Sequence, residues 1–173
     1  MNKKFNLGFL LVFLFTQLPA QVLSPNVIGN GDFTKGKVGW ETKGRIVKLK
    51  EGKEASEGNP TLMIELDKKK EESFHCVFDV PRGTKSVKVR FKILTSQDFE
   101  VQESQPLITT LNAGTAQYDG LIRRQELGKS TEWQEKRASV SAIATERVGL
   151  VVSLRPGKGK VYFDDFVAEA LAN

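Results

Sequence analysis

The chain has 173 residues, of which 27% are charged and 39% hydrophobic, and it carries a formal net charge of +5. The basic residues are interleaved with Asp and Glu, which excludes the one-signed patch with aromatics among it that a nucleic-acid binder presents. One Cys and one His exclude an intrachain disulfide, a classical zinc site built from several His and Cys, and any nucleophile–His enzyme that does not use His75.

In chain order, "MNKK" is a basic start, "FNLGFLLVFLFTQL" an apolar core, and "LPA" offers a small residue before a cut between Ala20 and Gln21. This is the layout of a secretory signal. The core is shorter than the roughly 20 apolar residues of a membrane span, and no Cys follows the cut to carry a lipid. Residues 1–20 are therefore expected to be a signal peptide and 21–173 one domain, secreted or periplasmic, without a membrane span. Its charge falls from +5 to +3 once Lys3 and Lys4 are removed.

Next comes "NGDFTKGKVGW" (Asn30 to Trp40), a loop rich in Gly with two aromatics. The dominant period after it is two. "TLMIEL" places Leu62, Ile64 and Leu66 on one face. "DKKKEE" (Asp67 to Glu72) alternates sign in blocks and is expected to be a solvated hairpin turn. "SFHCVFDV" puts Phe74, Cys76, Phe78 and Val80 inward, which makes Cys76 a small buried apolar residue and His75 a surface or groove residue. "SVKVRFKIL" puts Val87, Val89, Phe91 and Ile93 inward. "RVGLVVSLR" does the same with Val148, Leu150, Val152 and Leu154, and "KVYFDDFVAEAL" is a closing strand. Alternation of this kind marks half-buried strands. Turn signals lie at "EGNP", "PRGTK", "NAGTAQYDG" and "RPGKGK". About nine strands, a turn signal every ten to fifteen residues and no amphipathic helix predict an all-β antiparallel sandwich or barrel.

Both ends of the chain resemble a known family. "NVIGNGDFTKGKVGW" resembles the N-terminal signature of carbohydrate-binding modules of the family 4/9 type. "STEWQEKRASVSA" is similar to that family's Trp-containing penultimate segment, and "GKGKVYFDDFVAE" to its closing strand. The resemblance runs from about Asn26 to Leu171. Between Phe99 and Leu127 only the alternation matches. It implies a galactose-binding-like jelly roll whose first and last strands lie close together. In it Phe33 and Trp40 would plug the core, Gly29 and Gly31 would allow close backbone approach, and Gly36 and Gly39 would turn the chain. Trp133 would take the family's structural Trp position.

The resemblance also implies a structural calcium, held by Asp32, the backbone near Asn59 and Pro60, and Asp164. Oxygen donors of these types suit that ion. Where relatives often carry Glu after the motif's Phe, this chain has Thr34, which removes one carboxylate. Asp165 is expected to cap or hydrogen-bond near the sheet edge.

The implied function is non-catalytic binding of a polysaccharide or other glycan, by aromatic stacking and polar contacts. Phe99 and Tyr118 are the aromatics left free by the core assignments and are the expected platforms. Arg90, Arg123 and Gln125 are the leading polar candidates, with Lys88, Lys92, Glu65 and Arg124 beside them on the solvent-facing side. The excess of Arg and Lys points weakly to an acidic or sulfated glycan. Glycoside hydrolysis needs two convergent carboxylates, and Asp164 and Asp165, as strand neighbours, face opposite ways, so no enzymatic activity is expected. The alternative is a protein-interaction or envelope-structural jelly roll without a sugar site.

Overall fold

The computed structural model describes residues 20–49, 58–101, 108–112, 130, 132–141 and 146–172. Among them every regular element is a strand: β1 (Val22–Ser24), β2 (Trp40–Thr42), β3 (Arg45–Lys48), β4 (Pro60–Glu65), β5 (Glu72–Asp79), β6 (Ser86–Thr95), β7 (Glu100–Val101), β8 (Ile108–Asn112), β9 (Gln134–Ser141), β10 (Arg147–Leu154), β11 (Gly157–Lys158) and β12 (Lys160–Leu171). The count exceeds the expected nine because segments such as β7 and β11, two residues each, are too short to show alternation in the sequence. The expected signal peptide lies outside the described residues except for Ala20, as does nearly all of "NAGTAQYDG".

Two antiparallel sheets form a sandwich. One has the order β3-β4-β12-β6-β9, with β1 also on β12; the other has the order β2-β5-β10-β8; β7 and β11 make a small separate ribbon. The alternating apolar residues drive this arrangement. Phe74, Cys76 and Phe78 of β5 and Val148, Leu150 and Val152 of β10 are all buried, and they meet Val87, Val89, Phe91 and Ile93 of β6 in one core. Each such side chain contributes about 1.5–3 kcal/mol on burial. Six rings sit together within it: Phe91 stacks on Phe166 with centroids 4.8 Å apart, Trp40 lies 4.8 Å from Phe166, and Phe33, Phe74 and Phe163 pack around them. Aromatic pairs add to the area they bury.

The N-terminal motif is bound to β12 by backbone and side chain. Val22 pairs with Leu171, Val27 N–H donates to Ala168 O at 2.9 Å, and Phe166 N–H to Gly31 O at 3.0 Å. A Cβ on Gly31 would stand 1.8 Å from Phe166 O, so only Gly permits this approach. Buried Asn30 knits the loop. Its amide donates to the carbonyls of Gly36 and Val38, its Oδ1 accepts Lys35 N–H, and its carbonyl takes the Trp40 indole N–H at 2.9 Å.

Two local expectations are corrected. "DKKKEE" is solvated but is no hairpin, because β4 and β5 belong to different sheets; the segment crosses from one to the other, and Glu71 within it pairs with Arg155. The closing strand is not regular either. Asp164 lies opposite Lys92, but the next partner of Arg90 is Val167, so β12 carries one extra residue. This bulge reverses the inward parity, which is how both Phe163 and Phe166 reach the core. Asp165 sits in it at φ +52°. β12 itself is an inner strand, between β4 and β6, but its pairing with β4 stops at Phe163, just before the bulge.

Candidate functional site

The solvent-facing side of the six-stranded sheet is the only place where the described aromatics leave the core together. Outward positions on β6 are Lys88, Arg90, Lys92 and Leu94. Across from them on β9 lie Ser139, Arg137 and Glu135, with Trp133 just before the strand. On β12 they face Glu169, Val167, the Asp164–Asp165 bulge and Tyr162.

One end of this face is apolar. Met63, Leu94 and Tyr162 form a second small cluster, and Val47, Leu49 and Trp133 pack against it. Trp133 is partly exposed, and its indole N–H is buried without a hydrogen-bond partner. An indole with an apolar body and an open flank is the usual form of a stacking platform.

The other end is polar and concave. Lys88, Arg90, Arg137, Ser139 and Glu169 line an open groove of about 560 Å³, within the size range of ligand sites. Arg137 Nε donates to Glu135 Oε1 at 2.6 Å, and Lys92 Nζ to Asp165 Oδ2 at 2.7 Å. The hydrogen bond to Asp165 holds the Lys92 pKa above its usual value.

The sequence-derived residues distribute unevenly. Arg90 lies in the groove. Tyr118, Arg123 and Gln125 lie outside the described residues. Phe99 is a correction: it is 5% exposed and part of the main core. A tight turn, in which Phe99 N–H donates to Ser96 O at 3.0 Å, folds the ring inward, so it offers no face to a ligand. His75 is half-exposed on the opposite sheet, with Nε2 3.2 Å from Glu41 Oε2. Trp133, Tyr162 and Arg137 are not among the ligand contacts expected from the sequence. Their parity could have found them. Tyr162 is out of phase with Val161 and Phe163, and Trp133, Glu135, Arg137 and Ser139 share one phase.

The three calcium candidates offer only oxygen donors, which suits the ion. Asp164 is a buried carboxylate, 2% exposed, whose Oδ1 accepts Asp165 N–H at 2.8 Å. Asp32 is exposed and its Oδ1 accepts the Thr34 N–H and hydroxyl. Asn59 O accepts the Thr61 hydroxyl at 3.4 Å. Among the described residues no three His, Cys, Asp or Glu side chains converge on one point.

No protein-family model and no curated protein matches the chain. Solved structures do. A family 61 carbohydrate-binding module in complex with β-1,4-galactotriose superposes with a TM-score of 0.60 at 19% identity, over 84% of this chain and 98% of that one. The chain shares the fold of a carbohydrate-binding module. The CBM22-1 xylan-binding domain of Xyn10C from Paenibacillus barcinonensis gives 0.51 at 14% identity, over 89% and 97%. The enzymatically active domain of tailspike protein 4 from bacteriophage CBA120 gives 0.59 at 6% identity, over 84% of this chain but 21% of that one. At such identities the likeness is one of fold, and the fold is the expected antiparallel jelly-roll sandwich.

Proposed function

We propose that this protein is a non-catalytic glycan-binding module, and that its site is the outer face of the six-stranded sheet. The observation that carries the reading is Trp133: a partly exposed indole packed against the cluster of Tyr162, at the apolar end of a face whose other end is a polar groove. The indole would cover the apolar face of one sugar ring, and Arg90, Arg137 and Ser139 would take the hydroxyls of units farther along the same glycan. The likeness to two carbohydrate-binding modules supports this assignment, as does the resemblance of both termini to the family 4/9 type. Export through the segment 1–20 belongs to the same proposal. So does a structural calcium on the oxygens of Asp164, Asp32 and Asn59, which would brace the N-terminal loop against β12 without touching sugar.

The test is retention of the protein on a panel of soluble and insoluble polysaccharides, with tryptophan emission as a second signal. Trp40 is 6% exposed in the core, so a ligand-induced change reports on Trp133. Trp133→Ala is expected to weaken retention about tenfold, since leaving roughly 50 Å² of apolar surface uncovered costs about 1.3 kcal/mol at about 25 cal/mol per Å². Retention unchanged in that variant would overturn the placement of the site. Absence of binding to every glycan would leave the protein-interaction alternative standing.

A further inference from the structure

We propose that the groove end of this face selects an acidic glycan, by binding the carboxylates of uronic acid residues. This rests on the glycan-binding reading above and names the class of glycan.

Arg90 of β6 lies directly opposite Arg137 of β9, and Lys88 is the next outward residue on β6. Directly opposed side chains have Cβ atoms about 4.5–5.5 Å apart, and like charges at such positions destabilise a sheet. Sheet stability alone does not call for this pair. The other neighbour of Arg90, on β12, is Val167, so no acid flanks it across either strand. Among the described residues neither Arg90 nor Lys88 forms an ion pair, whereas Lys92 is held by Asp165 and Arg137 by Glu135. Arg137 uses only its Nε in that contact, which leaves the outer edge of the guanidinium for a ligand. Two adjacent guanidinium groups, one wholly and one partly uncommitted, form a fork that matches a planar carboxylate.

The position relative to the apolar end matters as much. Leu94 and Arg90 are four residues apart on one strand, about 13 Å at 3.3–3.4 Å per residue. A polysaccharide chain stacked near Trp133 and running along β6 would therefore carry another of its sugar units, two or three along, over the arginine pair. Glu169, which lines the groove, and Glu135 beside it confine the positive charge to the arginine pair, so that only one or two carboxylates of a bound chain would be read there.

The experiment compares polygalacturonate with the same polymer after chemical reduction of its carboxylates to alcohols, by affinity electrophoresis of the purified protein at low and high NaCl. Dextran sulfate and a single-stranded DNA oligonucleotide are the other arms. Retention on polygalacturonate is expected to fall about tenfold on carboxyl reduction and to weaken with salt, as exposed charges are screened. Arg90→Ala should produce a similar loss on polygalacturonate and little change on the reduced polymer, with an unaltered melting temperature; Arg90→Lys should retain part of the binding. Equal affinity for polygalacturonate and its reduced form, unaffected by Arg90→Ala, would overturn the acidic preference and leave the glycan reading intact. Stronger binding to dextran sulfate or to DNA would overturn the carboxylate assignment. Failure to bind any glycan would remove both readings.

Discussion

Phe33 sits fully buried at φ +53°, a region bulky side chains rarely occupy. Such a conformation costs roughly 1–3 kcal/mol and persists only where the surroundings over-determine it. Here they do: the ring packs 5.3 Å from Trp40 and 6.1 Å from Phe166, while the backbone after it is held by Asp32 and Asn30, which accept the N–H groups of Thr34 and Lys35, and the backbone before it by the Gly31 carbonyl, which accepts Phe166 N–H. Cys76 shows a different effect of the core. It faces Trp40 across β2 and Leu150 across β10, and burial pushes its thiol pKa up to about 12. Below the ordinary value of 9.0 both folded and unfolded chains keep the proton. Above it the unfolded chain ionises first, so Cys76 withdraws stability as pH rises from about 9 toward 12, by up to about 1.4 kcal/mol per pH unit. Urea unfolding between pH 8 and 10.5 should show a steeper decline for the native sequence than for Cys76→Ala. Parallel slopes would mean that the thiol ionises as readily in the folded state as in the unfolded one.

Among the elements, β12 and the N-terminal motif depend on each other at Gly31. A methyl group there would collide with the Phe166 carbonyl and break the Phe166–Gly31 hydrogen bond beside the bulge. Gly31→Ala is expected to destabilise by about 1–3 kcal/mol or more, a fall in melting temperature of roughly 2–4 °C per kcal/mol at this chain length; calorimetry on the purified variant measures it. The strands β5, β6 and β10 were legible in the sequence because one face of each is core and the other is water, so polarity alternates with the pleat. β4 was only half legible. Met63 is buried as well as Leu62 and Ile64, since the outer face there is covered by Val47, Tyr162 and Trp133. The bulge was illegible because nothing in "YFDDF" marks which residue is supernumerary. The site suffered from the same ambiguity. Arg90 was recognisable from its phase on β6, but Trp133 and Tyr162 looked structural because an aromatic on an outer face differs from a core one only by parity. Phe99 was misplaced because a short turn, and no alternation, decides where its ring goes.

The molecule as a whole is asymmetric. One sheet turns a half-apolar, half-basic face outward, while the outer side of the other carries His75, Glu41, Asp79 and Val77, the last 48% exposed. If calcium braces the sandwich as proposed, chelator should lower the melting temperature and added calcium restore it, because a ligand bound only by the native state raises stability by mass action. An unchanged melting temperature, with no calcium copurifying, would refute the metal. A separate consequence comes from where β12 lies. It is the last described strand in the chain, yet it sits between β4 and β6 and also pairs with β1. A polypeptide growing from its N-terminus therefore cannot complete this sheet until β12 has been made. β4 and β6 have no shared neighbour, and the ring cluster lacks Phe163 and Phe166, until residues 160–171 emerge. Closure must then bridge separations of about 65 to 150 residues, from the Thr95–Val161 pair to the Val22–Leu171 pair, the kind of long-range pairing that makes β-sandwiches slow to fold.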